Sequence, residues 1–309
     1  MIKTALLFAG QGAQVVGMGC DLANAYPSAR AWFDRANAAL GYDLAAICFR
    51  GPEEELTKTE HAQPGIFLVS WVAFQVLRER VPSLEFHAAA GLSLGEFTAL
   101  AAAGALSFED GLRLVRERGR FMQAACEATR GGMAAIIGLD EATTRAVCAE
   151  AGVAVANLNC PGQIVISGAT DQIAQAVELA KARGARKAIP LSVAGAYHSP
   201  LMASAQPLLA AELARVRVEA PRVPVISNVT AQPHASPEQI RARLVEQVTA
   251  TVRWEESMRF LLAQGFTRFI ELGPGTTLTG FLKRMDKSAQ LLNVGDVASL
   301  DATVGALTA

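Results

Sequence analysis

The stretch "FHAAAGLSLGEFTALAAAGAL", residues 86–106, constrains the fold of this 309-residue chain more tightly than any other. Its first residues, through Ala88-Ala89-Ala90, read as a buried strand, and "GEFTALAAAGAL" reads as a helix. Only Gly91-Leu92-Ser93-Leu94-Gly95 makes the turn between them. So short a turn packs strand and helix closely, and two glycines remove the Cβ atoms that would collide. The backbone of Ser93 is expected to be strained, and the turn lifts that residue to the carboxyl edge of a sheet.

The rest of the chain continues in this manner. "IKTALLFAG" is expected to be a buried strand entering the loop Gly10-Gln11-Gly12-Ala13-Gln14, and "HAQPGIFLVSWVAFQVLRERVP" a buried helix closed by Pro82. From about residue 131 the pattern changes. "GMAAIIGL" reads as a strand and "EATTRAVCAEAG" as a helix, followed by two strands about Cys160-Pro161-Gly162. A helix from Thr170 or Asp171 as N-cap and the strand "ARKAIPLSV" complete a βαββαβ order, the ferredoxin-like pattern. "VPVISNVT" and "RFIELG" then resume buried strands, the latter turning through Gly273-Pro274-Gly275 into the helix "TTLTGFLKRM". The expected fold is α/β. An α/β-hydrolase-like large subdomain with a parallel sheet, residues 1–128 and 197–309, carries an inserted ferredoxin-like small subdomain, residues 129–196.

Composition narrows the partners. With 51% hydrophobic and 18% charged residues the chain buries a large core, and a formal net charge of -1 offers no general attraction to nucleic acid or an anionic membrane. Local clusters, Arg113, Arg116, Arg118 and Arg120 and then Arg183, Arg186 and Lys187, remain candidates for meeting an acidic partner. The five cysteines are scattered, with no Cys-x-x-Cys pair and no zinc spacing, as in a protein of the reducing cytosol. The N-terminal apolar run is too short for a signal peptide, and no run approaches the roughly 20 residues of a membrane span. A cytoplasmic location and a monomer are expected.

A serine at such an elbow is either a nucleophile or a small turn residue. As a nucleophile, Ser93 sits at a helix N-terminus, where the N–H of Leu94 faces a developing oxyanion. It also needs a base. Of four histidines, His87 lies in the preceding strand about 20 Å away at roughly 3.3 Å per residue, too far to serve. His61 precedes a helix, and His234, in "AQPHASPEQ", reads as a solvated surface residue. His198 remains, placed where the small subdomain's last strand re-enters the large one; a structural loop histidine is the plain alternative.

A second candidate comes from helical geometry. In "FEDGLRLVRERGRFMQAA", Leu112, Leu114, Val115, Gly119 and Met122 share an apolar face at 100° per residue, and Arg118 falls inside that face. A buried guanidinium costs several kcal/mol unless it is paired, and it does not escape by losing a proton. The partner is either an internal Asp or Glu, or a substrate carboxylate held in a bidentate fork.

Together, "FAGQGAQ", "GLSLGEF", "RLVRERGRFMQ", "NLNCPGQIVISG", "GAYHSPLM", "VEQVTATVRWEESM" and "IELGPGTTLTGFLKR" resemble the malonyl-CoA:acyl-carrier-protein transacylases. The resemblance runs in order from about residue 4 to 285. It implies that Ser93 is acylated, that His198 is its base in a dyad without an acidic third member, and that a main-chain carbonyl at Gln247 orients the histidine. It further implies an oxyanion hole from the N–H groups of Gln11 and Leu94, and assigns Arg118 to the free carboxylate of malonyl. Malonyl-CoA and an acyl carrier protein follow as partners for fatty acid or polyketide synthesis, with coenzyme A entering as a thioester substrate and no cofactor. A protected cleft, with the small subdomain as one wall, would keep water from the ester.

Two positions depart from the family's common form. Leu92 stands where histidine is more usual, and Tyr197 stands before His198 where the related form is phenylalanine; both are assigned to the pocket, and a buried Tyr197 hydroxyl needs a partner. Asn159 and Gln163 match a family motif, with Asn159 expected to stabilise the hairpin turn. The loop at residues 10–19 is no dinucleotide or phosphate loop, because Val15 and Met18 stand where glycine and lysine are required. The main rival reading is an acyl hydrolase or thioesterase acting on acyl carrier protein, against which the Arg118 clamp argues. A non-catalytic docking subunit would not need Ser93 and His198, and an α/β-hydrolase esterase would need an acid between serine and histidine in sequence.

Overall fold

Residues 2–309 are described by the structure, a computed structural model. In chain order its strands are β1 (Lys3–Phe8), β2 (Ala88–Gly91), β3 (Gly131–Ile137), β4 (Ala154–Cys160), β5 (Gln163–Ala169), β6 (Lys187–Pro190), β7 (Val225–Ile226), β8 (Phe266–Leu272) and β9 (Gln290–Val294). One compact unit takes the residues up to Gly119, Val216–Ile226 and Leu261–Ala309; the other takes Arg120–Arg215 and Ser227–Phe260.

The first unit holds a five-stranded sheet in the order β7-β2-β1-β8-β9, with every pairing parallel. Strands buried on both faces read as continuous apolar runs, and central β1 does so, with Ala5, Leu6, Leu7 and Phe8 all fully buried. Its register sets the functional edge. Phe8 pairs with Gly91 on one side and Leu272 on the other, so these three strands end level. The loop at Gly10-Gln11 and the turn at Leu92-Ser93 therefore leave neighbouring strands at the same carboxyl edge, where open α/β sheets bind ligands. The helix Thr59–Arg80 is buried almost all round, as its run of apolar residues requires.

Glu271, at the end of β8, is buried. Its carboxylate accepts from the Leu278 and Thr279 N–H groups at 3.0 and 2.7 Å and from the Thr279 hydroxyl at 2.8 Å, tying the strand to the helix Thr277–Lys283. Burial pushes its pKa up, and these donors act in the opposite direction.

The second unit contains an antiparallel sheet in the order β4-β5-β3-β6, and its elements follow the βαββαβ order. Helices Glu141–Ala151 and Thr170–Ala182 cover one face, joining Ala134, Ile136, Ile164 and Ile166 to Val147, Ile173 and Val177 in one apolar cluster. Strand β4 is prolonged by a parallel bridge in which Val252 donates to Ala156 O at 2.8 Å and accepts from Leu158 N–H at 2.9 Å.

Three local expectations are corrected. Ala169, not Thr170 or Asp171, is the N-cap, because β5 stays extended through Ala169 and the Thr170 hydroxyl turns back to Arg130 O at 3.2 Å. "VPVISNVT" supplies only Val225–Ile226 as strand: the main chain reverses at once, with Ala231 N–H on Ser227 O at 2.9 Å. His61 lies inside the first turn of the helix Thr59–Arg80 rather than before it.

Candidate active site

The strand-to-helix turn has the strained form its glycines imply. Ser93 adopts φ 53°, the left-handed region, in a residue that carries a Cβ. A Cβ on Gly91 would fall on the backbone of Gly95, and one on Gly95 on the carbonyl oxygen of Phe8. Main chain thus packs against main chain on both sides of the serine. The helical ladder begins with Gly95 N–H on Leu92 O at 3.0 Å and Glu96 N–H on Ser93 O at 3.1 Å. Leu94, the N-cap, lies ahead of it, and its N–H is among those a helix leaves without an intrahelical acceptor. Half-buried Leu92 donates its N–H to Phe8 O at 3.2 Å and lies against Gly10, beside the loop that carries Gln11.

Arg118 reaches this turn from the helix Phe108–Ala128, and it is 1% exposed. Its Nη2 donates to Ser93 Oγ at 3.0 Å and its Nη1 to Gln63 Oε1 at 2.7 Å, while the guanidinium lies 5.5 Å from the centre of the Phe97 ring. Gln63 Nε2 donates in turn to Gln11 Oε1 at 3.3 Å. The helix comes this close because Gly119 has no side chain: a Cβ there would strike Thr59 O, one turn before Gln63. Gln63, fully buried, is the residue that sequence reasoning missed. Its signal was a glutamine directly ahead of the helix's long apolar run from Pro64 to Val69.

His198 is held with equal care in the second unit. It adopts φ 57° and is 4% exposed, and its Nδ1 lies 2.8 Å from Gln247 O. A carbonyl only accepts, so Nδ1 carries the proton and Nε2 keeps its lone pair when the ring is neutral. Ser199 Oγ closes the turn, donating to Ala196 O at 2.7 Å and accepting from Leu201 N–H at 3.3 Å. Tyr197 is buried, and its hydroxyl finds its partner in the thiol of Cys126.

The structure therefore brings Ser93, Arg118, Gln63 and Gln11 together in one unit, and His198, Gln247 and Tyr197 with Cys126 in the other. His87 accepts the Thr4 N–H at 3.2 Å, at the opposite edge of the sheet from Ser93. His234, expected to be solvated, is only 7% exposed. Asn159 lies in β4 rather than in the turn, is buried, and its Oδ1 accepts no hydrogen bond among the described residues, so it does not act as the expected turn stabiliser. Of the basic clusters, Arg116 pairs with Glu117 and Arg183 with Glu150.

A family model described as the acyl transferase domain matches residues 5–303, and the chain belongs to that family. It is 43% identical over 312 residues to the malonyl CoA-acyl carrier protein transacylase of Bacillus subtilis, covering 99% of this chain and 98% of the relative. Among solved structures, the acyl-carrier-protein-S-malonyltransferase of Bartonella henselae superposes with a TM-score of 0.95 at 39% identity over 100% of both chains. A malonyl-transacylase solved in complex with its type II PKS acyl-carrier protein matches with a TM-score of 0.95 at 39% identity, over 98% of this chain and 99% of that one.

Proposed function

We propose that this chain moves malonyl from malonyl-CoA to the phosphopantetheine thiol of an acyl carrier protein, through a malonyl ester on Ser93, in fatty acid or polyketide assembly. In the first half-reaction His198 Nε2 takes the Ser93 proton while Nδ1–H stays on the Gln247 carbonyl, and the alkoxide attacks the thioester carbon. The oxyanion is received by the N–H groups of Gln11 and Leu94. Collapse breaks the C–S bond, and coenzyme A leaves as the thiol with the proton returned by His198. The carrier thiol then gives its proton to His198, attacks the ester, and releases Ser93 protonated. One thioester is exchanged for another, so the reading assigns no cofactor and makes coenzyme A a substrate. Free thiols at all five cysteines support work in the reducing cytosol.

The observation that carries this reading is the buried Arg118 guanidinium 3.0 Å from Ser93 Oγ. An acyl group on that oxygen places a three-carbon diacid's free carboxylate within the guanidinium's reach, where the fork receives it in two parallel hydrogen bonds. Acetyl leaves the fork unfilled, and the selectivity of the site follows from that loss. A hydrolase for general acyl chains has no use for such a clamp.

Incubation with radiolabelled malonyl-CoA, with and without holo-carrier protein, tests the reading. Ser93 is expected to take up label and pass it to the carrier. Arg118→Ala is expected to cut malonyl loading about 100-fold or more while acetyl loading changes only a few-fold. No label on intact Ser93, or an equal loss for both acyl groups, overturns it.

A further inference from the structure

The contact between Gln247 and His198 is made by a main-chain carbonyl, which any residue would supply. Yet the Gln247 side chain is fully buried, and its Nε2 donates to Oδ1 of Asn228 at 3.3 Å, itself fully buried. Gln247 is also the C-cap of the helix Pro237–Glu246, its N–H on Arg243 O at 2.8 Å. A carbonyl at a helix C-terminus has no partner further along the helix, and the last peptide planes are the ones that fray. Its direction must be set from outside the helix. Asn228, just past β7, is placed to do this twice: its side chain accepts from Gln247, and its own carbonyl accepts from Arg253 N–H at 2.9 Å. It thus grips both ends of the segment 247–253, whose far end is tied to β4 through Val252.

We infer that Asn228 is a positioning residue for the base: by holding the Gln247 amide it fixes the direction of the Gln247 carbonyl, and through it the tautomer and ring orientation of His198. This rests on the reading of His198 as the base. The two neutral tautomers of an imidazole lie close in free energy, so the bond at Nδ1 is what selects between them. Once the Gln247 amide loses its acceptor, the terminal peptide turns to find another. The ring is then free to carry its proton on Nε2, where it accepts nothing from the nucleophile. Arg118 and its carboxylate clamp are not involved, so the rate of transfer suffers while affinity for malonyl-CoA does not.

The test uses Asn228→Leu, which keeps the branched shape and removes the acceptor, Gln247→Ala, which keeps the carbonyl and removes the amide, and their double variant. Each single change is expected to lower kcat about 10- to 100-fold with KM for malonyl-CoA within about twofold, and the double variant to fall no further than the worse single. Asn228→Asp keeps the acceptor and is expected to recover most of kcat. Its added negative charge raises the His198 pKa and moves the acid limb of the pH–rate profile to higher pH. Nitrogen-15 spectra of labelled histidine are expected to show Nδ1–H at His198 in the parent chain and in Asn228→Asp, and a tautomer mixture in Asn228→Leu. If Asn228→Leu does not fold, Gln247→Ala carries the same expectations in rate and spectrum. Parent-level kcat with an unchanged Nδ1–H signal in Asn228→Leu, or fully additive losses in the double variant, overturns the inference. A chain that transfers no malonyl but whose His198 tautomer still answers to Asn228→Leu refutes the transferase reading and leaves the positioning role standing.

Discussion

Ser93 and His198 occupy the same backbone state, φ 53° and φ 57°, and are held in it by different means. At the serine the constraint is main chain against main chain: Gly91 meets the backbone of Gly95, and Gly95 meets Phe8 O, leaving no room for any Cβ. At the histidine it is a set of hydrogen bonds, from Ser199 to Ala196, from the ring to Gln247 and from Gln247 to Asn228. Hard-sphere contact is stiff and local, whereas hydrogen bonds are individually worth about 1 kcal/mol and can be remade with other partners. Ser93 is thus held by main-chain atoms packed directly on one another. The His198 ring rests on a main-chain carbonyl, but the bonds behind it, from the Ser199 hydroxyl and between the Gln247 and Asn228 amides, are made by side chains that can each be removed, which makes this turn the more adjustable of the two.

The largest test of this pairing is kinetic. Ser93→Ala and His198→Ala are each expected to lower transfer by about a thousandfold or more, with the double variant no worse than Ser93→Ala alone, as the proposed serine–histidine dyad requires. Additive losses measured in single-turnover loading would dissolve the partnership.

A stability comparison comes next. Gly95→Ala is expected to cost about 3 kcal/mol, since the new Cβ meets backbone that does not yield, whereas Ser199→Ala is expected to cost about 1 kcal/mol for its lost turn bonds. Equal losses in denaturant unfolding would erase the distinction between a stiff elbow and a soft turn.

The smallest expected effect is read from thiol chemistry. Burial pushes Cys48 up to about 12 and Cys148 up to about 11, and it raises Cys126 as well. Reaction with a thiol reagent requires the thiolate and access to it, so at pH 8 the half-buried Cys20 is expected to react first in the folded chain. Cys126 lies against Gly195 in the turn that leads to His198. Under mild denaturant it is expected to follow before Cys48, as mass spectrometry of the labelled protein would show; the reverse order means that the His198 turn is the firmer region.

Much of this was legible from the residues because the forces involved are short-ranged. The Gly91-to-Gly95 turn carries its own geometry, and the burial of Arg118 follows from the 100° step of one helix. The turn at Thr170 misled because capping propensity yields to strand pairing, which holds Ala169 extended beside Gly131. His234 misled because a proline-flanked loop reads as surface, and only packing decided otherwise. Gln63 showed as no more than a polar residue ahead of an apolar run, with Gln11 and Arg118, which it meets, lying 52 and 55 residues away.

By itself, then, the sequence determined the α/β class, the strained elbow with Ser93 at its tip, the ferredoxin-like order of the inserted elements and the buried cation at 118. Each depends on spacing within one or two neighbouring elements, where chain geometry leaves little choice. Tertiary structure decided which atoms those residues meet: Arg118 on Ser93 Oγ and Gln63, Tyr197 on Cys126, Gln247 on Asn228. The physical reason is that a hydrogen bond reaches about 3 Å in space and takes no account of separation along the chain. Its partners are known only once the elements have packed.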